Sequence, residues 1–314
     1  MKEAQKQHLV TYIKGIAMGA ADVVPGVSGG TIALITHIYE RLISAIDNIS
    51  LSLFLQLFTT NRKEAWIKLD GSFLLALTLG IGTSVLIVTG GISWLLEHHP
   101  IPLWAFFFGL ILSSAFVLKS SVSNWNMGSI LMLLLGGLLA FGIGLVAPSQ
   151  GSDSLIYLFF CGMLVVIAMI LPGISGAFIL ILLGAYGTAL ETVEQLKTFA
   201  LDGFIVFAVM ASGGLLGLKV FAKMLRWLYT TYKNMVLATM IGFLLGSLYK
   251  VWPWKQITQY YINSSGERMP LTSVSVFPDV LNADSQILLA VCTFFLGLVL
   301  LFLLERLSKN KPNE

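Results

Sequence analysis

Asp, Glu, Lys and Arg vanish from long stretches of this chain and return in short clusters. Charge-free runs cover 71–96, 98–118, 120–152, 154–190, 203–218, 234–249 and 285–304. About 20 apolar residues cross a hydrocarbon core, so the pattern predicts full spans at 72–95, 101–118, 128–147, 203–225, 234–252 and 285–304. The run 154–190 is too long for one helix and is interrupted by Pro172-Gly173. Proline removes a backbone donor and glycine loosens the helix, so this run is expected to break and turn back. A weaker version lies near the N-terminus, where apolar arms at 9–24 and 31–46 flank Pro25-Gly26-Val27-Ser28-Gly29-Gly30. Lys14 and Asp22 interrupt the first arm, which argues against a cleavable signal peptide.

The two broken segments align. PGVSGGTIALITHIYERL at 25–42 lies against PGISGAFILILLGAYGTA at 172–189, with Pro, Gly, Ser, Gly and Tyr39/Tyr186 matched. Further on, 94–114 matches 227–247. The expected fold is therefore an all-α polytopic membrane domain built as a two-fold repeat. Repeat one covers 8–147, with a hairpin at 9–46 and three spans, and repeat two covers 154–304, with a hairpin at 154–190 and three spans. Three crossings between hairpins place their mouths on opposite sides if both re-enter, the inverted layout of secondary transporters with a site near the midplane. Pairs of complete spans satisfy the same count.

Composition agrees with lipid as the solvent: of 314 residues 56% are hydrophobic and 11% charged, and mean hydropathy is +0.85. A soluble domain carries about 25% charged residues, so an ordinary soluble globular protein is excluded. The net charge of +3 gains meaning from its placement. Fifteen of the nineteen Lys and Arg fall on the face holding the N-terminus, the 41–70 linker, Lys119, the loop around Lys219 to Lys233 and the C-terminal tail; only Lys197, Lys250, Lys255 and Arg268 fall on the other. The positive-inside rule then makes both termini cytoplasmic. The basic excess is a topology signal, and no nucleic-acid partner is expected. The linker 42–58 has the mixed character of an interfacial segment. Cys161 and Cys292 lie within apolar runs and read as packing residues; neither a metal site nor a cofactor is expected.

Candidate chemistry concentrates at the hairpin tips, Pro25-Gly26 and Pro172-Gly173. Broken backbone at membrane depth needs protein or a polar cavity to satisfy it. Helices restarting at Ser28-Gly29-Gly30-Thr31 and Ser175-Gly176 would present amide donors and hydroxyls suited to an anion; close packing of half-helices through small residues is the alternative. Asp22 has no charged counterpart in repeat two and reads either as a proton carrier or as a helix-end hydrogen-bonding group. Glu40 and Arg41 close the first returning arm and suit each other or a headgroup at the cytoplasmic mouth, or else snorkel to the interface. His37 lies in the same arm, aligned with Gly184, and packing is its simpler role. Lys219, Lys223 and Arg226 share one helix face, for anionic headgroups or for anchoring. Glu191 follows the second hairpin as a proton-entry or solvated group.

KGIAMGAADVVPGVSGGTIALITHIYERLI at 14–43, with ILPGISGAFILILLGAYGTAL at 170–190, resembles the bacterial polyprenyl-phosphate transporter family. The resemblance in layout covers nearly the whole chain. It implies a multi-pass protein of the bacterial plasma membrane that returns undecaprenyl phosphate from the outer to the cytoplasmic leaflet for cell-wall synthesis, with paired re-entrant helices like those of DedA-type transporters. Membrane lipids and the carrier lipid are the implied partners, and protons are candidates for coupling through Asp22. The matching positions are Asp22, Pro25, Gly26, Ser28, Gly29, Gly30 and Thr31 at the first tip and Pro172, Gly173, Ser175 and Gly176 at the second.

Two other readings compete. Undecaprenyl-pyrophosphate phosphatases resembling bacitracin-resistance proteins share a Pro-Gly-x-Ser tip, which in them continues with Arg-Ser beside a Glu-rich motif. Here Gly29 and Gly176 stand at the Arg position, and Ser28 and Ser175 lack the cations and base that phosphoryl transfer needs. A small-anion secondary transporter is the remaining alternative.

Overall fold

The computed structural model describes residues 2–23, 28–58, 61–146, 148–262, 268–279 and 285–309. The first half holds α1 (Lys2–Val23), α2 (Gly29–Ile35), α3 (Tyr39–Asn48), α4 (Leu51–Gln56), α5 (Arg62–Lys68), α6 (Gly71–His98), α7 (Pro100–Lys119) and α8 (Met127–Leu145). The second holds α9 (Leu155–Ile170), α10 (Gly176–Leu182), α11 (Tyr186–Lys197), α12 (Leu201–Thr231), α13 (Lys233–Ser247), a ribbon of β1 (Lys255–Ile262) and β2 (Arg268–Ser275), and α14 (Ile287–Lys309). Leu and Phe cover the lipid-facing sides of these helices: Leu86, Leu138, Leu215 and Phe295 are all exposed, as apolar solvent permits.

Of the six expected spans, α6, α7, α8 and α12 are individually long and apolar enough to cross a membrane. α12 is longer than the expected 203–225. Its 31 residues rise roughly 45 Å, more than the ~30 Å hydrocarbon core. α13 is shorter than the expected 234–252, with 15 residues ending at Ser247. Beyond Ser247 the chain closes through turns such as Lys250 N–H to Ser247 O, 2.9 Å, before the restriction that Pro253 places on Trp252 comes into play. The two-stranded antiparallel ribbon was not expected. Its strand Lys255–Ile262 is rich in the β-branched and aromatic residues that favour extended pairing.

The returning arms also break a second time, where the sequence suggested continuous segments. α2 and α10 have seven residues each, about 10 Å of helix. α10 then bends by 114° into α11. The break is made by a left-handed residue at the same repeat position in both halves: His37, φ 58°, and Gly184, φ 65°. Glycine carries no penalty there, whereas a side chain costs about 1–2 kcal/mol. His37→Gly is accordingly expected to keep or raise thermal stability in detergent. His37→Val, β-branched in a left-handed turn, is expected to lower it.

Helix pairing follows one pattern in both halves. α1 packs on α6 and α9 on α12, while the later spans exchange partners between halves, α7 with α14 and α8 with α13. Each pair is drawn together by glycines facing the opposing backbone. A Cβ at Gly15 would stand 2.3 Å from Leu77 O, and one at Gly80 2.2 Å from Tyr12 O. Gly162 and Gly213 stand in the same relation to Met210 O and Phe159 O, Gly109 and Gly297 to Phe294 O and Phe106 O, and Gly136 and Gly242 to Thr239 O and Leu133 O. Lipid gives helices no hydrophobic reason to associate, so close backbone approach through small residues supplies the packing energy.

Candidate functional site

α1 ends at Val23, and α2 restarts at Gly29 behind Ser28, which adopts an extended N-cap conformation. The Gly30 N–H donates to Ser28 Oγ at 3.1 Å, a conventional side-chain cap. The Gly29 N–H donates to Asp22 Oδ1 at 2.6 Å. Asp22 thus reaches across the break and places its carboxylate at the start of α2, where the exposed amides and helix dipole favour negative charge. Of its two expected roles, the helix-end hydrogen bond is present. Pro25 and Gly26 lie outside the described residues.

The second tip turns at Pro172 and at Gly173, whose φ is 81°. Ser175 stands at the N-cap of α10 without a side-chain capping bond. The two tips dock on each other. Ser28 Oγ donates to Met169 O at 3.0 Å, the Gly173 N–H donates to Thr31 Oγ1 at 3.1 Å, and Tyr39 Oη donates to Ile170 O at 3.2 Å. Gly30 lets α2 lie directly on α9, since a Cβ there would come within 2.3 Å of Ile170 O. Ser28, Thr31 and Ser175 are 0%, 1% and 4% exposed, so the hydroxyls expected at the two tips are all buried, and those of Ser28 and Thr31 bond across to the second tip. Lys14 Nζ donates to Thr36 O at 2.7 Å and closes the far end of α2.

The halves differ in how they use the matched positions. Gly29 faces the Asp22 carboxylate, whereas Gly176 faces the side chains of Met169 and Val165. Tyr39 is buried in the tip-to-tip contact; its repeat partner Tyr186 is half-buried at the start of α11.

The remaining candidates lie away from this centre. Arg41 makes a bidentate pair with Asp70, Nε to Oδ2 2.5 Å and Nη2 to Oδ1 2.8 Å, and stacks over Phe73 at 4.4 Å. Hydrogen bonding to Asp70 raises the Arg41 pKa further above its ordinary value, against a smaller opposing effect of burial. Glu40 lines a water-sized cavity of about 20 Å³ with Ile43, Ser44, Arg226, Tyr229 and Thr230. Lys219 and Arg226 converge on Asp47: Lys219 Nζ lies 3.5 Å from Oδ1 and donates to the Asp47 carbonyl, and Arg226 Nη1 lies 3.0 Å from Oδ2. Lys223 is exposed. These cations therefore fasten α12 to α3. His37 is exposed at the α2–α3 turn, and Glu191 accepts from Gln195 Nε2 at 3.0 Å on exposed α11.

The sequence reading passed over Lys250 and Lys255, counted only as charges on one face. Lys250 lies over Phe178 at 4.3 Å and Lys255 over Trp104 at 3.5 Å. Their flanking motif, Trp252-Pro253-Trp254, was a usable signal, since a rigid aromatic segment between two lysines fixes where their ammonium groups point.

Apolar helices on the surface and two broken-helix hairpins interlocked through polar groups define a multi-pass membrane protein. The chain belongs to the VCA0040-like family, described as undecaprenyl phosphate translocase-like, whose pattern matches residues 18–269. It is 40% identical over 307 residues to a polyprenyl-phosphate transporter of Vibrio cholerae, covering 96% of this chain and 98% of that protein. It is 32% identical over 259 residues to a polyprenyl-phosphate transporter of Staphylococcus aureus, covering 78% and 86%. No solved structure matches.

Proposed function

We propose that this protein transports polyprenyl phosphate, carrying undecaprenyl phosphate from the outer to the cytoplasmic leaflet of the bacterial plasma membrane and so returning the carrier lipid to cell-wall synthesis. The observation that carries the proposal is the tip-to-tip docking of two broken hairpins, Ser28 on Met169 and Thr31 on Gly173, in a family whose relatives bear that transport name. A prenyl tail is at home in hydrocarbon, whereas its phosphate is not. A transporter therefore needs only a polar path for the headgroup, open sideways to lipid for the tail.

Docked tips close that path. In the proposed cycle the repeats 8–147 and 154–304 are inverted, their hairpins re-enter from opposite faces, and both termini are cytoplasmic. Parting of the tips frees the Ser28–Thr31 and Ser175–Gly176 groups for the phosphate. At the first tip the headgroup competes with Asp22, which holds the Gly29 N–H in the docked state, and a proton on Asp22 weakens its claim. The donor commitment of Ser28 Oγ to a backbone carbonyl supports transport over hydrolysis.

Leaflet exchange of labelled undecaprenyl phosphate in proteoliposomes, with and without a pH gradient, tests the proposal. Exchange above protein-free vesicles is expected, and its absence under every gradient rejects transport. Asp22→Asn keeps an acceptor for the Gly29 N–H and loses the titratable charge. It is expected to flatten the pH dependence of exchange; a wild-type rate and pH profile would remove Asp22 from coupling.

A further inference from the structure

Because α13 stops at Ser247, its end lies against the second tip: a Cβ at Gly173 would be 2.9 Å from Phe243 O and 3.0 Å from Ser247 Oγ. One turn further on, Lys250 places its ammonium 4.3 Å from the centre of the Phe178 ring on α10. Phe178 follows Ser175 by three residues, so both lie toward one side of that short helix. Ser175 is 4% exposed, and no hydrogen bond engages its hydroxyl among the described residues. Lys255, at the start of β1, lies 3.5 Å from the centre of the Trp104 ring in the first turns of α7.

The segment carrying both lysines is held at many points. Trp252 Nε1 donates to Val276 O at 2.9 Å, Trp254 Nε1 to Ser285 O at 2.8 Å, and the Val276 N–H to Trp254 O at 3.0 Å. The Trp252 ring packs on Trp254 and on Phe108, each 5.6 Å between centroids. Val251 and Pro253 are buried. The two ammonium groups are thus displayed by fixed backbone, at half-buried positions.

Neither lysine has a carboxylate partner among the described residues; the only ion pairs there are Arg41 with Asp70, Lys197 with Glu194, and Lys219 and Arg226 with Asp47. Aromatic faces attract a cation by about 0.5–2 kcal/mol, but they do not neutralise it. Burial, and then the like charge of Lys250, lowers Lys255 to about 7, the signature of an ammonium short of a counter-ion. An anion between the lysines supplies one.

We propose that Lys250 and Lys255 form a receiving site for a phosphate monoester headgroup, which passes it to the second tip at Ser175. The proposal rests on the transport reading for its lipid-linked source, although the chemistry recognised is that of any phosphate monoester. On the proposed topology the site faces the outer leaflet, where headgroups await return.

The test uses the full chain in nanodiscs for binding and in liposomes for exchange, with Lys250→Gln/Lys255→Gln and Lys250→Arg/Lys255→Arg double variants of matched thermal unfolding profile. Binding is measured with undecaprenyl phosphate in the nanodisc lipid and, separately, with inorganic phosphate in solution. The glutamine variant is expected to weaken lipid binding about tenfold or more, a shift of about 1.4 kcal/mol. It should raise the lipid density for half-maximal exchange correspondingly while the maximal rate changes little, and arginine should restore both. Parallel loss of inorganic phosphate binding assigns recognition to the headgroup alone; loss confined to the lipid assigns it to the headgroup together with its tail, and both support the site. Equal binding by wild type and the glutamine variant, or a lowered maximal rate at unchanged half-saturation, overturns it. Wild-type binding that depends on the lysines without any exchange would reject the transport reading and keep the site.

Discussion

Gly30→Val is expected to stop transport while leaving the protein inserted and folded. Gly30 occupies the second position of α2, where valine meets no backbone obstacle of its own; the obstacle stands across the tip. A Cβ there would lie 2.3 Å from Ile170 O and 3.0 Å from Met169 O. Both are carbonyls of the last turn of α9, and both already accept bonds, from Tyr39 and Ser28. Backbone held in this way yields little, and overpacking costs about 1–3 kcal/mol. If the docked tips are a state every cycle must pass through, exchange falls about 10- to 100-fold. Gly176→Ala provides the contrast: its nearest neighbour is Met169 Cγ at 2.7 Å, a flexible side chain that can swing away, and only a few-fold loss is expected. Equal rates for wild type and Gly30→Val in proteoliposomes would remove tip docking from the cycle.

Gly213→Val is expected to have the largest effect on stability. A Cβ at Gly213 would stand 2.0 Å from Phe159 O, and its reciprocal partner Gly162 approaches Met210 O just as closely. Adding a side chain forces α9 and α12 apart along their length and carries the second hairpin with them. The expected cost is about 3 kcal/mol, read as a lower thermal midpoint in detergent and less protein in the membrane fraction. Gly82→Ala and Gly142→Ala are matched controls, because nothing lies within 4 Å of a Cβ at either position. Helix propensity alone then acts and favours alanine by about 0.5–1 kcal/mol. If Gly213→Val unfolds with the controls, the glycine contacts do not hold the helices together.

The sequence was most legible where one physical constraint dominates. Charge is so costly in hydrocarbon that its gaps located α6, α7 and α8 to within a few residues, and Pro172-Gly173 marked the second break. Legibility failed where a local signal competed with a tertiary one. α13 stops at Ser247, where its end meets the second tip at Gly173, but the apolar pattern ran on to Trp252. His37 in a left-handed turn looked like one more helical residue, because only its alignment with Gly184 hints at the bend. The tip residues were visible as a repeated motif, yet their mutual docking depends on contacts 141 and 142 residues apart in the chain, which no local pattern encodes. Arg41 and the Lys219–Arg226 face looked available until Asp70 and Asp47 were found against them.

The exchange of partners between halves also bears on biosynthesis. Gly109 of α7 waits for Phe294 of α14, and Gly297 for Phe106, contacts separated by almost two hundred residues of translation. At about 5–20 residues per second, α7 spends on the order of 10–40 seconds in the bilayer with its glycine face turned to lipid or to whatever insertion machinery shelters it. α14, made long after α7, is therefore the helix whose arrival completes the packing of α7.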